Sequence, residues 1–491
     1  MKSKINIIVL IVAIITVIAA VLVATTCGGK NTKDNKETTV SESTTQCKDK
    51  ETDKSETKES ADETTAHETD NETTSNQETS SEEATKESDS SVIANSTTSE
   101  QKSSDSTTAE QTTAEQNTTE QTTTEQTTTA PSTDDTVTDG TMRNITTAQV
   151  VKEMGIGINL GNTFESTGNW FDQSKVQNFE TAWGSPVITK EMIQGMADEG
   201  FGVLRIPVAW SNMMDADYTI DPSYIARVKE VAGWAIDSGM YVIVNIHWDG
   251  GWWTNFPTDK TNCMNKYKAI WTQLSNGFAD FGDKLVFESL NEEGVWDSVW
   301  NRYGGTTGKT EAYGLLNEIN QTFVDVVRAS GENNAYRHLL IAGYATDITL
   351  TCDSYFKMPN DPQNRCAVSV HYYNPFGYTH LEKDESWASV QTEWGSDADK
   401  AELKKYMKMM YDNFASKGVP VIIGEFGVPT MSNKSKDNVV LYLKSVAEAA
   451  YDYGMCPVLW DTTSDYSYYN RYTCSMSGFE SLKEAFADVL K

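Results

Sequence analysis

The chain has 491 residues, with 40 Lys+Arg against 71 Asp+Glu and a formal net charge of −31. A chain this acidic repels phosphate backbones, which excludes nucleic acid as a partner. No P-loop or Gly-rich dinucleotide fingerprint follows a strand pattern.

The composition is also uneven. All 13 Trp, 21 Tyr and 15 Phe lie after Gly140. At the amino end, Lys2 and Lys4 precede an apolar run from Ile7 to Ala24 that only Thr16 interrupts. A secretory core needs about 7–15 apolar residues and a spanning helix about 20. Residues 1–27 therefore read as an export segment, and three readings stay open. It is cleaved as a signal peptide, lipidated at Cys27, or kept as a membrane anchor. Residues 28–140 hold 27 acidic and 9 basic residues and no aromatic side chain. Such a segment buries too little apolar surface to offset chain entropy, so a disordered Ser/Thr/Glu-rich linker is expected. Its short TTAEQ and TTEQ repeats suit a self-repelling spacer, not a solenoid.

Residues 141–491 alternate short apolar runs with helical patterns. The expected strands are Gly155–Leu160, Val203–Val208, Tyr241–His247, Leu285–Leu290, Leu339–Gly343, Ala367–Tyr372, Val421–Glu425 and Cys456–Trp460. The expected helices are Thr189–Glu199, Pro222–Ser238, Lys266–Phe281, Thr310–Ser330, Asp399–Lys417, Lys436–Tyr453 and Phe479–Leu490, with only Asp353–Lys357 available between strands five and six. Asp221-Pro222 reads as an N-cap followed by a first-turn proline. Continuous apolar strands alternating with helices imply a parallel sheet covered on its outer face. Eight such units predict an α/β fold, a closed (β/α)8 TIM barrel, with a doubly wound open sheet as the runner-up. The seven cysteines show no metal spacing; Cys352–Cys366 and Cys456–Cys474 are candidate local bridges.

Polar residues fall at one end of these strands: Arg205, Asn245-Ile246-His247, Asn291-Glu292-Glu293, His371-Tyr372-Tyr373, Gly424-Glu425 and Trp460-Asp461. A charge in an apolar strand is costly unless paired. A single case reads as a structural ion pair; repetition at the carboxyl ends, where barrel chemistry is built, reads as a site. Glu292 and Glu425 stand out. Two carboxyl groups about 5–5.5 Å apart around one bond are what retaining glycoside hydrolysis requires. One is protonated and gives its proton to the leaving oxygen, and the other is ionised and attacks, so their environments must split their pKa values. Glu293 competes with Glu292 for the acid role. Asp249 and Asp461 read as structural. His67 lies in the linker, and His338 and His380 read as scaffold or surface. His247 and His371 are too few for a histidine-rich metal site, so neither metal nor cofactor is expected.

Residues 142–491 resemble the catalytic domain of glycoside hydrolase family 5, the cellulase-type barrels of clan A. The resemblance rests on Asn159-Leu160-Gly161-Asn162, Arg205-Ile206-Pro207-Val208, Asn245-Ile246-His247-Trp248, Leu290-Asn291-Glu292, His371-Tyr372-Tyr373, Gly424-Glu425-Phe426-Gly427 and Leu459-Trp460, in family order. It implies that Glu292 is the acid/base and Glu425 the nucleophile, which Arg205 keeps ionised. It further implies that Asn291 contacts the sugar 2-hydroxyl, that His247 and His371 line the cleavage subsite, and that Tyr373 hydrogen-bonds the nucleophile. Trp460 is then the platform under the sugar next to the cleaved bond.

Among the tryptophans of the loops after strands one, three and four, Trp252 is the preferred further sugar platform, because Gly250-Gly251 lets a loop project it. The expectation is a monomeric, exported endo-β-1,4-glucanase acting on cellulose-type β-glucan, extracellular or at the cell surface, with membrane contact only through its first residues. The same mechanism on xyloglucan, mixed-linkage glucan, mannan or xylan is the alternative. A non-catalytic carbohydrate-binding surface protein and a metal-dependent barrel hydrolase are rivals of another class. No separate carbohydrate-binding module is expected in the chain.

Overall fold

A computed structural model describes residues 140–430 and 433–491. The expected export segment and linker lie outside the described residues. Eight parallel strands close in sequence order into one barrel. They are β1 Gly157–Asn159, β2 Val203–Ile206, β3 Tyr241–Asn245, β4 Leu285–Glu288, β5 Leu339–Asp347, β6 Cys366–Tyr372, β7 Val421–Phe426 and β8 Cys456–Leu459. All eight expected strands are present; the open-sheet alternative is overturned by the β1–β8 pairing of Gly157 with Val458 and Ile158 with Leu459.

Helices follow the strands as the apolar spacing predicts. Asp221 caps the helix Pro222–Asp237, its carboxylate accepting from Ser223 N–H with proline in the first turn. The helix Lys260–Gly277 starts earlier than expected, since its first turn is polar and carries no apolar signal. The short helix after β5 is Ile348–Thr351, not Asp353–Lys357. Strand β5 runs on to Asp347, whose side chain caps that helix at Leu350 N–H. No described helix is long and apolar enough to cross a membrane.

Every strand is buried along nearly its whole length, but its alternate residues face different surroundings. Leu204, Ile206, Val242, Val244, Phe287, Val368 and Val370 join the large core between sheet and helices. Val203, Tyr241, Ile243, Val286, Leu340, Ala367, Ile422 and Val458 form a second core inside the barrel floor. The helix Thr147–Met154 completes this floor with Val150, Val151 and Met154. Above the floor the inward positions turn polar, which sets where chemistry is built.

The proposed disulfides are corrected: Cys263, Cys352, Cys366, Cys456 and Cys474 are all free thiols. Cys456 faces the barrel floor, whereas Cys474 lies in the turns beyond β8 and points at Arg471 O. Cys352 packs on Met410 while Cys366 points at Asp361.

The fully buried Arg337 ties the turn that feeds β4. Its guanidinium donates to Asn334 Oδ1 (2.8 Å) and to the carbonyls of Phe278 (3.1 Å), Phe281 (2.9 Å), Gly282 (3.0 Å) and Leu285 (3.1 Å). A buried acceptor left without its donor costs about 1–3 kcal/mol. Arg337→Met should therefore destabilise the barrel by at least about 3 kcal/mol, read as a lower melting temperature. An unchanged melting temperature would mean that these carbonyls find other donors.

Candidate active site

The site grows from the polar layer above the barrel floor. Arg205 on β2, Glu288 on β4 and Ser369 on β6 point inward from alternate strands, with Asn159 on β1 beside them. Arg205 is fully buried and donates four times: Nε to Glu288 Oε2 (2.7 Å), Nη1 to Asn159 Oδ1 (2.9 Å) and to Glu425 Oε1 (2.9 Å), and Nη2 to Asn291 Oδ1 (2.8 Å). Glu288 is held from its other side by the Ser369 hydroxyl at 2.7 Å. Asn159 Nδ2 donates back to Gly424 O at 3.0 Å. A buried cation is tolerated only with such a full set of partners.

Glu425 reaches this layer through a slip of register. Val370 pairs with Ile423, but His371 pairs with Glu425, so β7 carries one extra residue, Gly424. A Cβ on Gly424 would lie 3.0 Å from Ser369 Oγ and 3.1 Å from His371 Nε2, so a side chain here would press on both of these side chains. Tyr373 OH donates to Glu425 Oε2 at 3.0 Å. With Arg205 on Oε1 and Tyr373 on Oε2, both carboxylate oxygens of Glu425 are held.

Glu292 sits differently. It lies beyond β4, its side chain is 51% exposed, and its one strong tie is His371 Nδ1, which donates to Oε1 at 2.7 Å. His371 Nδ1 is also 3.6 Å from Glu425 Oε2. Oxygen atoms of Glu292 and Glu425 and a ring nitrogen of His371 lie within 4.8 Å of one another. These three donors could hold a cation, but it would face the Arg205 guanidinium, already bonded to one of them. Glu293 is buried, with both carboxylate oxygens lacking a hydrogen-bond partner, and burial pushes it well above the carboxylate range. It does not reach the cleft that Glu292 faces.

The surroundings of the two carboxylates push them in different directions. Burial raises Glu425, and the nearby Glu292 charge adds to this, while His371, Arg205 and Tyr373 oppose it; the outcome is a raised Glu425. Partial desolvation works to raise the half-exposed Glu292, but the His371 hydrogen bond and charge outweigh it and leave Glu292 lowered. The two groups titrate as a pair. Tyr373 is held protonated by burial and by the Glu425 charge, so it stays a donor. His247 is held well below its usual range by burial and by Arg205 and His371, so it stays neutral.

Arg205, Asn291, Glu292, His371, Tyr373 and Glu425 are thus brought into one network. His247 and Trp460 stand together at its edge, their rings nearly parallel (5°) with centroids 5.8 Å apart. Trp252 does not stand free. Its Nε1 donates to Asp249 Oδ2 at 2.6 Å, its ring packs on Phe256, and Lys266 Nζ lies over it at 4.9 Å. The neighbouring glycine serves another need. Gly251 has φ +70°, and a Cβ there would lie 2.8 Å from the Trp248 ring. Trp253, Trp296 and Trp300 are core residues.

Asp249 also takes Ser211 N–H and Oγ, and Asp461 takes the N–H groups of Tyr468 and Tyr469, so both are structural. His338 is scaffold, its Nδ1 2.9 Å from Thr147 Oγ1. His380, expected as scaffold or surface, packs edge-on to Tyr373 at 4.8 Å, a scaffold position beside the site. Glu288 is an additional member of the network; its signal was a charge closing the apolar run Leu285-Val286-Phe287.

A closed barrel with two converging carboxylates at the carboxyl ends of β4 and β7 defines the class: a glycoside hydrolase. The family model for cellulase (glycosyl hydrolase family 5) matches residues 164–465. Endoglucanase B of Clostridium cellulovorans is 36% identical over 322 residues, covering 65% of this chain and 69% of its own length. The xyloglucan-specific endo-β-1,4-glucanase of Bacteroides ovatus is 33% identical over 359 residues, covering 68% of each. A broad specificity endoglucanase from an uncultured bovine rumen ciliate superposes with a TM-score of 0.64 at 34% identity, over 70% of this chain and 98% of that one. The chain belongs to glycosyl hydrolase family 5.

The like charge of Glu292 is one cause of the raised Glu425. Glu292→Gln removes it, so Glu425 should lose its proton at lower pH than in the parent. The carboxyl ¹³C shift of Glu425, followed through a pH titration, checks this. A midpoint that stays or rises would mean that the two carboxylates do not act on each other.

Proposed function

We propose that the protein is an exported, retaining endo-β-1,4-glucanase in which Glu425 is the nucleophile and Glu292 the acid/base. The carrying observation is the pair of carboxylate oxygens within 4.8 Å, one carboxylate clamped and the other open to the cleft. That closeness leaves no room for the water that an inverting site needs between its base carboxylate and the anomeric carbon, and suits direct attack by Glu425.

In the first step Glu425 forms a bond to the anomeric carbon while Glu292 gives its proton to the departing oxygen. Arg205 and Tyr373 fix the attacking oxygen atoms and cannot follow the sugar, so the attack geometry is set in advance. Sugar entering over Trp460 covers Glu292 and removes its water, which raises its pKa towards that of a working acid. Once Glu425 is esterified its charge is gone, Glu292 loses that repulsion, and it becomes the base for the incoming water. Asn291, held by Arg205 at 2.8 Å, is aimed at the sugar 2-hydroxyl. Neutral His247 stiffens Trp460 from behind its ring.

The substrate class is a β-1,4-glucan backbone, as the endoglucanase names of the relatives suggest. Decorated xyloglucan is the second reading, favoured by the Bacteroides ovatus relative. Residues 1–27 export the chain and residues 28–140 hold the barrel away from the cell surface, a reading supported by Lys2, Lys4, the Ile7–Ala24 run and the aromatic-free acidic spacer.

Glu425→Gln, which keeps an acceptor for Arg205 Nη1, should lower hydrolysis by several orders of magnitude with the far-UV circular dichroism of the folded barrel retained; near-normal turnover would refute its role. NMR of fresh product should show the β-anomer first. A reducing-sugar assay over carboxymethylcellulose, mixed-linkage glucan, xyloglucan, mannan and xylan decides the backbone, and mannan or xylan as the sole substrate would overturn the glucan reading. Activity should survive a chelator, whereas its loss would favour a metal at Glu292, His371 and Glu425.

A further inference from the structure

The indole of Trp460 is set in place from behind the site, by main chain from the far side of the barrel closure. Trp460 follows β8, and its N–H donates to Phe426 O at 2.9 Å. Its ring edge rests against Gly161, where a Cβ would stand 3.2 Å from the indole Cη2 and 2.6 Å from Asp461 O. Gly161 N–H in turn donates to Asp461 O at 3.0 Å. The loop after β1 and the loop after β8 therefore meet beside the indole.

One side chain ties these two loops together. Arg471 is 1% exposed. Its Nη1 donates to Thr163 Oγ1 (2.8 Å) and Ser185 Oγ (2.6 Å), and its Nη2 to Gly161 O (2.8 Å) and Asp461 O (3.3 Å). Asp461 Oδ1 faces Nη2 at 3.7 Å, while Asp461 Oδ2 takes the N–H groups of Tyr468 and Tyr469, each at 2.9 Å. The turn that carries Gly161 is held in its own right by the buried Glu165, whose oxygens take the N–H groups of Asn162 and of Thr163 (2.8 Å).

A guanidinium is kept in such a place only by a full set of acceptors. Its planar fork also fixes where those acceptors stand relative to one another, which a lysine ammonium does not do. The partners of Arg471 come from the segments after β1 and β8, apart from the Arg205 network that holds the carboxylates. The two carbonyls on Nη2, Gly161 O and Asp461 O, flank the indole that His247 faces.

We propose that Arg471 is a positioning residue for the Trp460 platform. By fixing the main chain on both sides of the indole it sets the depth at which the sugar next to the cleaved bond lies above Glu425. This rests on Trp460 being that platform. A pyranose packs its C–H face on the ring, so a shift of the ring moves the anomeric carbon with it. Attack is steeply sensitive to such a shift, because the nucleophile is held and cannot follow.

The test is a double-mutant cycle between Arg471→Lys and Trp460→Ala, read as kcat/KM on 2,4-dinitrophenyl β-cellobioside, whose leaving group needs no proton. Arg471→Lys keeps a cation and loses the fork. It should lower kcat/KM roughly 10- to 100-fold in the parent, and by no more than about 2-fold once Trp460 is alanine. Ser185→Ala removes a single acceptor and should act in the same direction, more weakly, and again only while Trp460 is present. A residue that served folding alone would cut activity by the same factor in both backgrounds. That result overturns the proposal, and so does an unchanged kcat/KM in both variants. If Arg471→Lys does not fold, Ser185→Ala carries the same comparison, with the same two results against it. Failure of the platform reading shows separately, since Trp460→Ala by itself would then leave kcat/KM near the parent value.

Discussion

The site depends on a single buried guanidinium. Arg205 is fixed by four groups from three other strands and their ends, namely Asn159 of β1, Glu288 and Asn291 at the end of β4, and Glu425 of β7. A cation in this interior is stable only if its donors are satisfied and its charge balanced. Those same requirements set the positions of two site residues, Asn291 and Glu425. Glu288 answers the charge from below, and Ser369 holds Glu288. The catalytic end of the barrel is therefore a structural ion network whose upper members face the cleft.

Two backbone features let the network reach those members. The extra residue at Gly424 turns Glu425 to the inner side, where an unbroken strand would have pointed it outward. A side chain at Gly424 would press on Ser369 and His371. His371 then lies between the two carboxylates, 2.7 Å from one and 3.6 Å from the other. Rigidity on the Glu425 side and freedom on the Glu292 side follow from the same layout. One carboxylate sits inside the sheet, and the other stands on a loop at the rim.

The two carboxylates differ in what surrounds them. Burial and the Glu292 charge raise Glu425, and His371 lowers Glu292. In the mechanism proposed above, the sugar acts on both, because it would displace water from the exposed carboxylate and, after attack, remove the charge of the buried one.

The sequence by itself determined the barrel and the identity of the polar residues that enter it. Eight apolar runs of strand length with helices between them admit few other folds. Charges that end such runs, Arg205 and Glu425 above all, have no reason to be there unless paired. Tertiary structure alone decided the rest. Strand periodicity cannot reveal a bulge, so the inward turn of Glu425 was invisible. The indole of Trp252 looked free because its partners, Phe256 and Lys266, come together only when the loop folds back. His380 looked peripheral because its contacts with Tyr373 and Phe376 depend on how the loop after β6 curls. Local pattern fixes which residues are buried and on which element. Which side chains meet is decided by register and loop path, and both are settled by packing between segments far apart in the chain.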